Sequence, residues 1–182
     1  MANSLSVNTL QNTSGTQYGF YAGQIIQCVA HQYSDVYHDV RQGQEIELPG
    51  VLGNGAASIT PLNSSSRILF VLNYGGGQED TWRHQKIRSY YKIGAGSWTE
   101  FTGGSMHWMS WGSSANGAAH TNGIEHLLPS LSTTSAVSFK CTWTGNNNGG
   151  YIHLNQNNRN NDTSDNNLAR IVSAINLYEI YQ

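Results

Sequence analysis

Charged residues are scarce in this chain. Lysine, arginine, aspartate and glutamate make up 11% of its 182 residues, against about 25% in an average soluble protein. Solubility therefore rests on the many uncharged polar side chains, which favour turns over helix interiors. The formal net charge is -2 and no basic patch stands out, so nucleic acid is not an expected partner.

Long apolar runs and signals for export are also missing. No run approaches the ~20 apolar residues of a membrane-spanning helix, and the N-terminal residues lack the features of a signal peptide. Synthesis and assembly in a cytoplasm are therefore expected, where cysteines stay reduced. The two cysteines, Cys28 and Cys141, lie in strand-like runs. Their positions predict two buried free thiols, and a disulfide between them is the less favoured alternative.

Helical periodicity is absent, because no stretch of about 11 residues has an amphipathic helical pattern. Short runs rich in β-forming residues are separated instead by Gly, Pro and Asn turn signals. The predicted strands lie at 24–30, 45–48, 58–60, 67–74, 82–93, 136–144, 151–154 and 169–181. Residues 97–126 are predicted as a long loop with short strands. The pattern predicts an all-β fold, an antiparallel β-sandwich or jelly roll, with a small barrel as the alternative.

In two of these strands, the residue pattern predicts which faces are buried. In 136–144, Val137, Phe139, Cys141 and Trp143 alternate with polar residues, which predicts one buried face. The run at 67–74 is apolar on both parities, which is typical of a central strand covered on both faces. Three glycines at 75–77 are predicted to end that strand. The run at 151–154 is predicted to pair with 136–144 as a hairpin.

The first 20 residues have no charged side chain and no convincing pattern of their own. A segment this polar cannot build a core, so it is either disordered or an extended arm that packs on another surface, and the arm is the prediction adopted. Its spaced apolar residues, Val7, Leu10, Tyr18 and Phe20, are the candidate contacts of this arm. The predicted domain organisation is therefore an attachment arm at 1–20 and a β-sandwich knob at 21–182.

Groups that carry catalysis are sparse. Glu79 and Asp80 are the only adjacent acidic residues, and neighbours in a strand point to opposite faces, so a solvated turn is the favoured interpretation. None of the seven histidines lies in a metal-binding motif. The chain is predicted not to be an enzyme and to need no cofactor or metal. A glycan hydrolase is the weakest of the functions considered.

An aromatic cluster is the unusual feature of the sequence. Trp98, Phe101, Trp108 and Trp111 lie close together with His107 among Gly and Ser residues. Flat rings stack on the apolar faces of sugars, which makes these residues candidate glycan contacts. Such rings also fill cores and subunit interfaces, and this is the more favoured interpretation.

Three ordered runs resemble small structural proteins of tailed phages, particularly those of cyanobacterial phages. The run SLSVNTLQNTSGT at 4–16 is similar to the opening of those proteins and leads to GQIIQ at 23–27, which fits the strand that follows there. The run ITPLNSSSRILFV at 59–71 is similar to a second segment. The run at 165–180, which ends in LYEI, is similar to their closing strand. The middle of the chain, about 75–131, matches poorly.

This resemblance implies a virion structural protein, either a capsid decoration (cement) protein or a short tail-fibre knob. It implies a homotrimer, assembled in the host cytoplasm and docked by its N-terminal arm on other virion proteins of the capsid shell or the tail and baseplate. It carries over no catalytic residue. The alternative is a lectin-like module of a tail fibre that binds a host surface glycan.

Overall fold

The computed structural model describes residues 10–11, 17–18, 21–40, 44–78, 85–101, 120–145, 151–155 and 172–182. In these ranges the chain forms β-strands and one short 3-10 turn at Gly50–Leu52. The strands are β1 (Leu10–Gln11), β2 (Gln17–Tyr18), β3 (Ile25–Tyr33), β4 (Tyr37–Val40), β5 (Glu45–Glu47), β6 (Ala57–Ile59), β7 (Arg67–Gln78), β8 (Gln85–Ile93), β9 (Thr99–Glu100), β10 (His120–Leu127), β11 (Val137–Gly145), β12 (Tyr151–Leu154) and β13 (Ser173–Ile180).

The first sheet has four strand positions, and two of them are each occupied by two strands that lie end to end. Strand β13 pairs with β3, and β12 pairs with β4. Strands β12 and β13 also pair with successive parts of β7. Because β10 occupies the opposite edge of β7, β12 and β13 lie end to end on one edge. The order of the sheet is therefore β3/β4, β12/β13, β7 and β10.

The second sheet is built in the same way around β11. Strand β8 pairs with the whole of β11 on one edge, so β5 and β6, which pair with its two halves, lie end to end on the other. Strand β9 pairs with the outer edge of β8. The order is β5/β6, β11, β8 and β9, and every pairing is antiparallel.

The path of the chain between the sheets identifies a jelly roll. Apart from the β8–β9 connection, successive strand positions along the chain belong to alternate sheets. The first position, β3/β4, and the last, β12/β13, both belong to the first sheet. Eight strand positions in this order, four in each sheet, form the double Greek key of a jelly roll. The predicted all-β class is confirmed, and the strand order selects the jelly roll among the predicted architectures.

The core lies between the two sheets and contains the residues that the alternation predicted. Val137, Phe139, Cys141 and Trp143 on β11 are all fully buried. The rings of Phe139 and Phe70, the latter on β7, stack with their centroids 5.5 Å apart. Aromatic pairs at this distance add about 0.5–1.5 kcal/mol to what their burial contributes. Because these two strands are central in their sheets, this contact joins the two layers at the middle of the core.

A buried polar node holds the interrupted strands in line. Asn155 has a left-handed backbone (φ 59°) at the end of β12. Its Nδ2 donates to the carbonyl oxygens of Tyr33 (2.7 Å) and Asp35 (3.0 Å). The Ser173 hydroxyl donates to Asn155 Oδ1 (2.6 Å) and accepts from the Gly75 amide (3.0 Å). These bonds satisfy backbone carbonyl groups between β3 and β4 and a backbone amide of β7.

A buried carboxylate anchors the opposite end of the sandwich. Glu179 on β13 is fully buried and accepts hydrogen bonds from the amides of Leu62 (2.9 Å) and Asn63 (3.0 Å). Charge-assisted bonds of this kind are roughly twice as strong as neutral ones. They attach the connection between β6 and β7 to the end of the last strand.

The glycines at 75–77 do not end β7, as the sequence predicted; the strand continues through them to Gln78 and pairs with both β10 and β12. A Cβ atom at Gly76 would lie 2.2 Å from the His153 carbonyl oxygen. The glycine therefore permits close approach of the neighbouring backbone, which is the other common reason for glycine within a strand.

The predicted hairpin of 151–154 with 136–144 is wrong. Strand β12 pairs with β4 and β7 in the first sheet, whereas β11 lies in the second. Adjacent strands in sequence usually pair, but in a jelly roll the connection crosses from one sheet to the other. The predicted irregular region 97–126 also contains an eight-residue strand, β10, of which residues 120–126 fall within it.

The predicted burial of both thiols holds for one cysteine only. Cys141 is buried, but Cys28 is exposed, and the two are free, so they form no disulfide. The run around Cys28 is apolar on both parities, so its alternation does not indicate which side is buried. The register with β13 decides: Cys28 lies opposite the outward-facing Tyr178, and Val29 and Tyr33 pack on the core instead.

Candidate interaction surfaces

The outer face of the second sheet carries most of the described charges. Strands β5, β8, β9 and β11 project alternate side chains away from the core, and these include three glutamates, three lysines and one arginine. The seven residues are Glu45, Glu47, Lys86, Arg88, Lys92, Glu100 and Lys140. We call this surface the charged face.

Glu45 is the centre of a hydrogen-bonded network on the charged face. Its Oε1 accepts bonds from the hydroxyls of Tyr90 (2.5 Å) and Thr142 (2.6 Å), and its other oxygen pairs with Arg88. Arg88 Nε also lies 3.7 Å from Glu100 Oε1. Four strands are thus linked by one carboxylate and one guanidinium.

The network changes the acid–base behaviour of two of its members. Partial burial alone would raise the pKa of Glu45, but the bonds from Thr142 and Tyr90 and the charge of Arg88 outweigh it. The pKa of Glu45 therefore lies below its ordinary value of 4.5. Burial and the hydrogen bond to Glu45 raise the pKa of Tyr90. Glu45 is consequently ionised and Tyr90 neutral at neutral pH.

Trp98, a predicted glycan contact, lies at the edge of the charged face under two ammonium groups. The Nζ atoms of Lys92 and Lys140 lie 4.8 Å and 4.9 Å from the centre of its ring. Its far edge contacts Gly55, where a Cβ atom would lie 2.8 Å from Trp98 Cη2. The ring is engaged in cation–π and packing contacts of its own chain.

Phe101, the second predicted contact, belongs to the core. Its ring meets Phe70 edge-on at 5.1 Å and Phe139 at 6.0 Å. The structure does not bring Phe101 together with Trp98, since one faces inward and the other outward. The other three predicted contacts, His107, Trp108 and Trp111, lie outside the described residues.

The arm is described at two short segments only. Leu10 pairs directly with Tyr18, in an antiparallel pair of two-residue strands. This places two of the four predicted arm contacts opposite each other in the backbone register. Val7 and Phe20 lie outside the described residues, as does the acidic pair Glu79–Asp80.

The outer face of the first sheet has the opposite character to the charged face. One row runs across all four strands, because Leu69 lies opposite Leu127 and Tyr178, and Tyr178 lies opposite Cys28. Its second row contains Val71 and Ala30 together with Glu125 and Asn176. We call this surface, made by the outward residues of β3, β7, β10 and β13, the apolar face.

Charge on the apolar face is limited to two residues among its described side chains, Arg67 and Glu125. Arg67 Nε donates to the Leu128 carbonyl oxygen at 3.0 Å, which holds the guanidinium flat at the border of the sheet. Leu127 remains 37% exposed, while Leu69, Val71 and Tyr178 are half-buried. In the sequence, only the apolar residues on both parities of 67–74 indicate this surface.

The described residues contain neither a metal-ligand cluster nor a membrane-spanning helix. No cluster of three or more His, Cys, Asp or Glu residues with metal-binding geometry occurs there. No described helix has the length and apolar character needed to cross a membrane.

Comparisons with known proteins give structural neighbours only. No protein-family model matches the chain, and no curated protein matches it significantly. The Gt strain structure of infectious bursal disease virus is similar, with a TM-score of 0.49 and 8% identity, over 97% of this chain and 47% of that one. The VP2 subviral particle of the same virus gives a TM-score of 0.46 at 8% identity, over 97% and 46%. The chain thus spans less than half the length of these structural neighbours.

Proposed function

We propose that this chain is a non-enzymatic structural protein of a virus particle. The observation that carries the proposal is the strand order of its two sheets, since the eight-stranded jelly roll is an architecture of viral capsid and lectin domains. This is an analogy at the level of fold, and folds host many functions. The resemblance of residues 4–16, 59–71 and 165–180 to tailed-phage structural proteins supports the same function independently.

Within the particle, the proposed role is a surface appendage of a tailed phage, either a capsid decoration protein or a short fibre knob. The chain would form a homotrimer and dock on another virion protein through residues 1–20. The uncharged sequence of that segment and its spaced apolar residues support a role in packing against a protein surface.

The lectin-like alternative has less support in the described residues. Sugar stacking needs an accessible ring face, yet Phe101 is surrounded by core aromatics and Trp98 lies under two lysines. A glycan array probed with the purified chain separates the two functions. Binding to a defined glycan, lost on Trp98→Ala, would favour the lectin.

Immunogold electron microscopy tests the proposed function. An antibody against the purified chain should label intact particles of the phage that encodes it, at a repeated site on the head or the tail. The same antibody, absorbed beforehand with the pure chain, is the control. Purified particles without gold label and without peptides of this chain in mass spectrometry would contradict a structural role.

A further inference from the structure

The apolar face contains a central strand that is covered on one side only by described residues of its own chain. Strand β7 buries Ile68, Phe70 and Leu72 against the second sheet. Two of its outward residues, Leu69 and Val71, are equally apolar, and both are half-buried. An antiparallel sheet with one solvated face normally alternates apolar and polar side chains. The outer parity of β7 therefore fits a surface that protein covers.

The apolar side chains on this face are contiguous. Leu127, Leu69 and Tyr178 are direct cross-strand neighbours, and side chains in such positions lie about 4.5–5.5 Å apart at Cβ. Ile180 and the 53% exposed Ile25 extend the surface towards the end of the sheet. Scattered exposed apolar residues are normal, but a contiguous patch marks an interaction site.

The area of this face fits a contact with a second protein surface of equal size. Four strands about 4.8 Å apart and about eight residues long, at ~3.4 Å per residue, cover about 500 Å². Two such faces together bury about 1,000 Å², which is the lower bound for a specific interface. One copy of the face packed on another thus reaches that bound.

The two charges on the face match each other across a twofold axis. Arg67 lies one row below Leu69, opposite Ile180, and Glu125 lies one row above it, opposite Val71. A twofold axis that runs across the strands at Leu69 places the Arg67 row of one copy over the Glu125 row of the other. Arg67 of one copy then comes next to Glu125 of the other, on an adjacent strand. Of its five N–H donors, the Leu127 and Leu128 carbonyls take two, so three remain available for this ion pair.

We propose that the apolar face is a twofold contact between two copies of this chain, with Leu69, Val71, Leu127 and Tyr178 at its centre. The charged face competes less for this contact, because the carboxylates of Glu45 and Glu47 are already paired within the chain. The contact goes beyond the proposed function, since it does not depend on which part of a particle the chain forms. It also differs from the threefold association proposed above, and the two can coexist.

Sedimentation equilibrium of the purified full chain tests this contact. The parent should have an even number of copies, and Leu69→Asp should halve its mass, because it buries a like-charge pair at the axis and so weakens association by at least about tenfold. Thr144→Asp, an equal change on the charged face, is the matched control and should keep the parental mass. A far-ultraviolet circular dichroism spectrum verifies that each variant is folded.

Glu125→Arg provides a second variant at an exposed position, so it leaves the fold intact. It gives each copy two positive charges on the face and should weaken association by at least about tenfold as well. Adding Arg67→Glu to it should restore the parental mass. A monomeric parent, or the parental mass in both Leu69→Asp and Glu125→Arg, would overturn the contact. These results leave the immunogold result unaffected, so failure of either proposal is distinguishable.

Discussion

The two central strands of the sandwich, β7 and β11, have the same inner face and different outer faces. Inward, both are wholly buried, with Phe70 and Phe139 in contact between them. Outward, β11 projects Ser138, Lys140 and Thr142, whereas β7 projects Leu69 and Val71 between Arg67 and Asn73. Because each strand is the middle of an equivalent sheet, the fold does not explain this difference.

The difference shows that the outer parity of a central strand reports on what lies over it. Polar residues on β11 form ion pairs and hydrogen bonds in contact with water, such as Lys140 Nζ with Glu47 at 2.5 Å. Apolar residues in the same position on β7 are stabilising only when another surface removes them from water. That burial contributes about 25 cal/mol per Å² of apolar surface. The comparison therefore distinguishes a solvated face from an assembly face.

The largest expected effect on stability comes from the inner faces of β7 and β11, which are equally buried. Phe139→Ala and Phe70→Ala should each lower the free energy of unfolding by about 3–5 kcal/mol, the usual cost for a buried aromatic side chain. Because the two rings touch, the double variant should lose less than the sum. Urea unfolding of the four proteins measures these values.

Ser138→Ala, an outward change on β11, is the control and should alter the free energy of unfolding by no more than about 0.5 kcal/mol. If Phe139→Ala unfolded at the same urea concentration as the parent, the inward assignment of β11 would be wrong, and with it the register of the second sheet.

A smaller effect sharpens the description of the charged face. Glu45→Gln should lower the free energy of unfolding at neutral pH by about 1 kcal/mol, since its charge-assisted bonds are partly screened by solvent. The folded pKa of Glu45 lies below its ordinary value. Its contribution is therefore complete above pH 4.5 and is lost as the pH falls through the folded pKa.

Thermal unfolding of the parent and Glu45→Gln across this acidic range measures that contribution. The difference in stability between the two proteins should shrink as the pH falls through the folded pKa. A constant difference from neutral to strongly acidic pH would show that the stabilisation does not come from the ionised carboxylate. Thr144→Val changes a residue of the charged face that lies outside the network, and it should show no such pH dependence.

The sequence was sufficient for elements whose pattern has one interpretation. The alternation of β11 predicted its four core residues because each outward neighbour is polar. The fold class followed from the absence of helical periodicity. The jelly-roll order did not follow, since β12 pairs in a different sheet from β11, and no local pattern encodes which sheet a strand joins.

Patterns with two interpretations caused the wrong predictions. The run around Cys28 is apolar on both parities, so only the register with Tyr178 shows that the thiol faces outward. The glycines of β7 suggest a turn, yet they allow close approach of β12. Trp98 and Phe101 are neighbours in sequence, but they lie on opposite sides of the second sheet, which the aromatic content of the run does not reveal.

The reactivity of Cys28 tests the central claim, that the apolar face is covered by a second copy, most directly. Cys28 belongs to the Leu69 row of that face and is exposed in the single chain. Cys141 is an internal reference, because burial raises its pKa to about 12 and the thiolate is the reactive form. Mass spectrometry after brief exposure to a maleimide near neutral pH measures both thiols.

We predict that Cys28 reacts rapidly in dilute solution and in Leu69→Asp, and much more slowly in a concentrated solution of the parent. Cys141 should react slowly in all three samples. A Cys28 rate that is the same in the dilute parent, the concentrated parent and Leu69→Asp would contradict the proposed contact between apolar faces.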